Sequence, residues 1–246
     1  MEAHIPLAAE KIAQIGPIPI TNSILTTWLV TFILIVLVHL ATRKITPVPQ
    51  GLQNIAELIF EAFQDLVSSV AGGKTKVFLP IVISFFFFIL LGNYFGLLPG
   101  VGSIGFFEET KDHKVFIPFF RSINSDLNTT IALALVSLVI THYLSVKYLG
   151  LSGYLGKFLS LNPVFLFVGL MEIISEFTKI LSLSFRLFCN IFAGEVLLTT
   201  ASTRLFAFVV PIPFYFLEIL VGFVQALIFA MLTLVFMTIL TEKPTH

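Results

Sequence analysis

The last third of this chain sets ionisable residues inside apolar sequence. Glu172, Glu176, Lys179, Arg186, Glu195 and Glu218 are embedded among Leu, Ile, Phe and Val, together with Asn190, Gln225 and the hydroxyls of Ser175, Thr178, Ser182 and Ser184. An ionisable group at membrane depth costs roughly 2.5–3.5 kcal/mol on insertion scales, so such groups mark an ion path or a paired structural contact. At about 100° per residue, Glu172, Lys179 and Arg186, spaced by seven, share one stripe of a helix, and Asn190 joins it a turn later. Glu195, nine residues past Arg186, is turned by about 180° and displaced by about 13 Å. On the next helix, Glu218 and Gln225 are again seven apart and share a face. Carboxyl groups in low dielectric can exchange protons near neutrality, whereas a guanidinium does not release its proton. Acid, arginine, acid along the membrane normal therefore suits a stepwise proton path with a barrier in its middle. For Lys179 and Glu176, simple structural pairing is an equally good reading.

These residues need a membrane scaffold, and the composition supplies one. The 246 residues include only 14 acidic and 14 basic ones, 11% of the chain, against 57% apolar, and the mean hydropathy is +1.01. A soluble domain carries about 25% charge, so a soluble globular protein and a disordered chain are both excluded. Zero net charge offers no surface for nucleic acid. The single cysteine, Cys189, rules out a disulfide framework or a cysteine zinc site. His4, His39, His113, His142 and His246 are scattered without an HxxxH or HExxH pair, which argues against membrane metalloenzymes. Nothing resembles a phosphate-binding loop, and no cofactor is called for. Glu2, Glu10 and Lys11 do not make the basic head of a signal peptide.

The expected fold is all-α and integral to the membrane. It is a single membrane domain over 1–246, with about five inserted helices and one interfacial helix. The first span covers 24–42, with Trp28 near its start and Arg43–Lys44 at its end. Past Pro47 and Pro49, residues 50–70 place Leu52, Ile55, Ile59, Phe63, Leu66 and Val70 at helical spacing, with Glu57, Glu61 and Asp65 in a row on another face. That pattern predicts an amphipathic helix lying in the interface. Further spans are expected at 77–98 and 127–149, separated by a polar loop over 99–127 and followed by a short connection from Gly150 to Ser160.

Asn162-Pro163 reads as a cap followed by proline at the first helical position. No breaker follows until about Thr203, and a last helix starts near Pro211 or Pro213. A 40-residue helix from 163 to 202 is about 60 Å long, twice the hydrocarbon thickness of about 30 Å. The region 163–241 is therefore expected to be a long, tilted hairpin. With its turn near residue 207, Arg186 should match Gln225 in depth and Glu195 should match Glu218.

Orientation rests on the basic residues. With the N-terminus outside, the inner segments hold Arg43, Lys44, Lys74, Lys76, Lys147, Lys157 and Lys243. The outer ones hold Lys11, Lys111, Lys114, Arg121 and Arg204. The balance favours N-out and C-in. No internal repeat suggests an inverted-repeat transporter, and no nucleophile–base set suggests an intramembrane enzyme.

The stretch SLSFRLFCNIFAGE at 182–195 closely resembles the subunit a family of F-type ATP synthases; Cys189 stands where that family usually has Gly, Ala or Ser. The resemblance extends over most of 47–241. It takes in PVPQGLQN at 47–54 with Glu57, Asn93 with Leu97-Leu98-Pro99, Asp126-Leu-Asn128-Thr-Thr, and Leu217-Glu218 through Gln225-Ala226.

The resemblance implies a non-catalytic channel subunit in the membrane sector of a rotary ATP synthase. The hairpin would curve around a rotating ring of c subunits, and Arg186 would face the ring's carboxylate and separate two aqueous half-channels. Glu195, Glu218 and Asn93 match outer half-channel positions and Glu172 an inner one, while Asn190 and Gln225 would support Arg186. Some members carry histidine at the place of Glu218 or aspartate at that of Gly96. The implied partners are the c ring, peripheral-stalk b subunits, the rest of the complex and the bilayer. The implied location is a bacterial inner membrane, with a thylakoid or inner mitochondrial membrane as alternatives, and proton is the default coupling ion.

Overall fold

The computed structural model describes residues 9–16, 18–43, 45–48, 51–98, 100–109, 114–158, 163–204 and 211–242. Six helices dominate: α1 (Asn22–Thr42), α2 (Leu52–Ala71), α3 (Thr75–Leu97), α4 (Leu127–Phe158), α5 (Pro163–Arg204) and α6 (Pro211–Thr241). Five helical segments are long and apolar enough to cross a membrane, the α2–α3 run from Gln53 to Leu97 counting as one of them. The fold is that of an all-helical membrane protein. Lys44, Pro49, Pro99, Lys111, Asp112, Asn162, the turn near 207 and Lys243 lie outside the described residues.

Two small antiparallel hairpins add to the expected helices. β1 (Lys11–Ile15) pairs with β2 (Ile18–Thr21) just ahead of α1. β3 (Gly105–Glu109) pairs with β4 (Lys114–Pro118) inside the stretch expected to be a plain polar loop. In β4 the consecutive Val115, Phe116 and Ile117 are β-branched and aromatic residues that favour strands, a signal that the surrounding charges mask. Thr21 then caps α1 by accepting from the Ile24 amide at 3.4 Å.

The amphipathic pattern of residues 50–70 becomes α2, and its apolar arc is divided. Phe63, Val67 and Ala71 are buried in the helical core, whereas Ile55, Leu58 and Leu66 stay exposed on an adjoining face. Glu61 and Asp65 are exposed. A helix with one apolar arc against protein, another left open and a polar side between them suits the plane of a membrane interface.

The core joins α3, α4, α5 and α6. Phe78, Val82 and Ile89 of α3 pack with Leu183 and Leu187 of α5 and Phe229, Leu234 and Met237 of α6. Where helices approach closely, small polar residues bond across: Ser137 and Thr233 lie 2.9 Å apart, and Ser145 donates to the Leu240 carbonyl at 2.7 Å. The carbonyls ending α6 are satisfied by lysines. Lys74 donates to Thr241 O at 3.0 Å and Lys157 to Leu240 O at 2.8 Å, the favourable sign for a helix C-terminus.

The connection expected after Gly150 is helical. Gly150 adopts φ 74°, ψ 165° and breaks α4 into Leu127–Leu149 and a short helix through Phe158. Glycine tolerates that conformation without the steric cost of a Cβ. α5 runs unbroken for 42 residues, about 63 Å at 1.5 Å per residue, so it exceeds the bilayer core unless it tilts.

Candidate functional site

Arg186 sits midway along α5 on a face that the described residues leave open. Ser175, Ser182, Cys189, Asn190, Ala193 and Leu197 are exposed along the same stripe, mostly small or polar residues. The guanidinium donates one hydrogen bond among the described residues, from Nη2 to Ser182 Oγ at 3.4 Å. Among the described residues Arg186 has no ion-pair partner. A guanidinium on an open helix face at membrane depth is costly alone, and the small residues around it leave room for a partner to approach.

One turn on, Asn190 Nδ2 donates to Gln225 Oε1 at 3.1 Å, with Gln225 buried in α6. The sequence reading matched Gln225 to Arg186 in depth. In the structure Gln225 bonds instead to Asn190, one turn nearer the hairpin's turn, because α5 and α6 interlock with that offset.

The acidic pair lies further toward the turn. Glu218 is 5% exposed, and its carboxylate packs directly against Gly194, where any added Cβ would overlap it. This puts Glu218 beside Glu195, and the two carboxyls interact electrostatically. Glu195 is only half-buried, and its Oε1 lies 3.5 Å from Nε of Arg121. Arg121 is 6% exposed, in the segment between β4 and α4, with its amide donating to Thr26 Oγ1 of α1 at 3.3 Å. By sequence Arg121 belongs to the outer loop charges, and the fold buries it. Nothing in its local sequence signals this, since the contact joins residues far apart in the chain.

Asn93 is buried at this same level but is occupied by the scaffold. Its Nδ2 donates to the Gly222 carbonyl at 3.0 Å, and its Oδ1 accepts from Asn124 at 2.7 Å. It thereby ties α3 to α6 one turn from Glu218. Gly96 packs against the backbone and side chain of Ser122, leaving too little room for a side chain there. Glu172 lies at the other end of α5, within electrostatic reach of Lys157. Glu176 and Lys179 form an ion pair at 2.7 Å.

The comparisons with known proteins agree on one family. The family model described as "ATP synthase A chain" matches residues 24–238. The chain is 33% identical over 226 residues to "ATP synthase subunit a" of Moorella thermoacetica, covering 92% of this chain and 93% of the relative. It is 34% identical over 233 residues to "ATP synthase subunit a 2" of Bradyrhizobium sp. strain BTAi1, covering 94% and 93%. With "ATP synthase subunit a" of Syntrophobacter fumaroxidans it shares 30% identity over 230 residues, covering 92% and 87%.

Proposed function

The chain belongs to the ATP synthase A chain family, a stator component of the F-type membrane sector, and from that premise we propose that it forms two aqueous half-channels kept apart by Arg186. The observation that carries this reading is a guanidinium on an open, small-residue face of α5 with no ion-pair partner among the described residues. Intramembrane charges face water-filled cavities or pair with an opposite charge, and the open face of α5 admits a carboxylate carried by another chain. The partner is a ring of c subunits, each bearing one carboxylate that passes Arg186 in turn. Peripheral-stalk b subunits hold the chain against rotation. It performs no bond chemistry.

A proton enters from the outer side at the Glu195–Glu218 pair and neutralises a ring carboxylate. The neutral site faces lipid without the cost of a bare charge. The ring turns until that site reaches the inner half-channel beside Glu172, where the proton leaves. The carboxylate is then drawn past Arg186, which has no proton to lend it. Each charge crossing gains about 2.3 kcal/mol per 100 mV of membrane potential. Asn190, held by Gln225, keeps the polar rung next to Arg186 in place, and Asn93 fixes α6 behind Glu218. The N-terminus lies outside and the C-terminus inside, in a bacterial cell membrane.

Cys189 offers a direct test, because it is the sole thiol and is exposed three residues from Arg186. In detergent, the isolated chain should react with a maleimide, and the complete membrane sector should be protected. A cysteine introduced beside the ring carboxylate should also form a disulfide with Cys189. Full labelling of Cys189 in an intact, ring-containing complex would refute the ring-facing assignment.

The placement of α2 on the inner surface has its own test. In a Cys189→Ser background, Glu61→Cys should react with an impermeant maleimide presented from the inner aqueous phase. Inaccessibility from that side would overturn the placement.

A further inference from the structure

A cavity of about 350 Å³ lies along α5 on the other side of Arg186's level from the outer acidic pair, lined mostly by apolar side chains of α4 and α5. Its polar lining is His142, Tyr154 and Glu176. These groups form a continuous chain. Tyr154 Oη lies 3.0 Å from His142 Nδ1, His142 Nε2 lies 3.6 Å from Glu176 Oε2, and Lys179 Nζ donates to Glu176 Oε1 at 2.7 Å. Lys179 belongs to the Arg186 stripe, and its ammonium also sits 4.9 Å from the centre of the Phe236 ring.

The break at Gly150 builds this cluster. In a straight helix, residues 142 and 154 would be about 18 Å apart along the axis. The bend after Gly150 returns Tyr154 to hydrogen-bonding distance of His142. Glu176 precedes Arg186 by ten residues, about 15 Å along α5, and Glu195 follows it. Exchangeable groups thus flank the arginine on both sides.

We propose that Glu176 and His142 are the proton-exit branch of the inner half-channel and that the cavity is its water-filled vestibule. This rests on the reading of Arg186 as the separator of two half-channels. A proton released by the ring is taken up by the Glu176 carboxylate. The Glu176 Oε2–H bond then breaks as His142 Nε2 gains the proton, leaving a carboxylate and an imidazolium. The imidazolium gives one ring proton to water in the cavity, which becomes hydronium, and the neutral ring is restored. Lys179 stabilises the carboxylate re-formed at each turn, and Tyr154 orients the ring through Nδ1. The charged and titratable groups facing His142 are Glu176, Lys179 and Tyr154.

The test uses the complete membrane sector in vesicles, with the catalytic head removed and proton conduction driven by an imposed potential. His142→Ala and Glu176→Gln should each lower conduction per assembled complex by about tenfold, below the full effect of a lost acid–base group because water supplies a parallel path. Imidazole supplied on the inner side should restore conduction to His142→Ala, since the cavity can admit it, and should do nothing for Glu176→Gln. Wild-type conduction in both variants would overturn the proposal. So would a loss in His142→Ala that imidazole does not relieve, since that marks a packing role. Arg186→Lys, compared in complexes with the head attached, separates the two readings. If it pumps like wild type, the separator reading itself fails; if it is inactive while both exit variants conduct normally, only the exit branch fails.

Discussion

Arg186→Lys is expected to abolish ATP-driven proton pumping, by about a hundredfold or more, while the complex assembles normally. The magnitude is that of losing one preorganised charge-stabilising donor. Lysine keeps a positive charge but differs in two ways. It can give up its proton when desolvated, which opens a leak between the half-channels, and it lacks the planar fork that meets a carboxylate with two donors. The surroundings sharpen the expectation. Among the described residues Arg186 is held only by Ser182 at 3.4 Å, so a shorter side chain finds no second support there. Pumping near the wild-type rate per assembled complex would sink the separator role.

Glu218→Ala should slow proton uptake from the outer side by about a hundredfold, the low end for a lost acid–base group. Glu218 is buried, touches Gly194 and sits within electrostatic reach of Glu195. Two carboxyls close together in low dielectric do not readily both ionise. Glu195 has Arg121 as a counter-charge at 3.5 Å, whereas no described cation pairs with Glu218. Glu218 is therefore the group that exchanges, and Glu195 with Arg121 sets its field. Glu195→Ala should also slow uptake, and the double variant should be little worse than the more impaired single one. Glu218→His should keep partial activity, since imidazole also exchanges protons near neutrality. Gly194→Val should mimic Glu218→Ala, because its side chain occupies the space the carboxylate now fills. Measuring flux per assembled complex decides the matter: additive, independent losses would refute a shared relay, and normal flux with poor assembly would assign the pair to packing.

Much of this protein was legible because membranes impose simple rules. Apolar runs longer than the bilayer core must be helices, since every backbone group needs an internal partner there. The 11% charge content then makes each buried ionisable residue conspicuous. Helical periodicity alone separated Arg186 from Glu195 by half a turn, and turn arithmetic brought Glu195 level with Glu218. His142 is likewise an ionisable residue inside a span, but its partners Tyr154 and Glu176 come from the fold.

What the tertiary structure decided are contacts between residues far apart in the chain. Local pattern determines which face a side chain takes on its own helix, but not which neighbour fills the space opposite. Arg121 reads as a loop charge, yet the packing of α1 and the segment before α4 turns it onto Glu195. Gln225 bonds to Asn190 because interlocking side chains fix the α5–α6 offset to within a turn, finer than the turn arithmetic resolves. The strands at 11–21 and 105–118 are short and paired only with each other, and so carry little periodic signal. Tyr154 meets His142 because Gly150 breaks the helix; a glycine permits such a break, and the fit of the returning helix against α4 and α5 is what selects it.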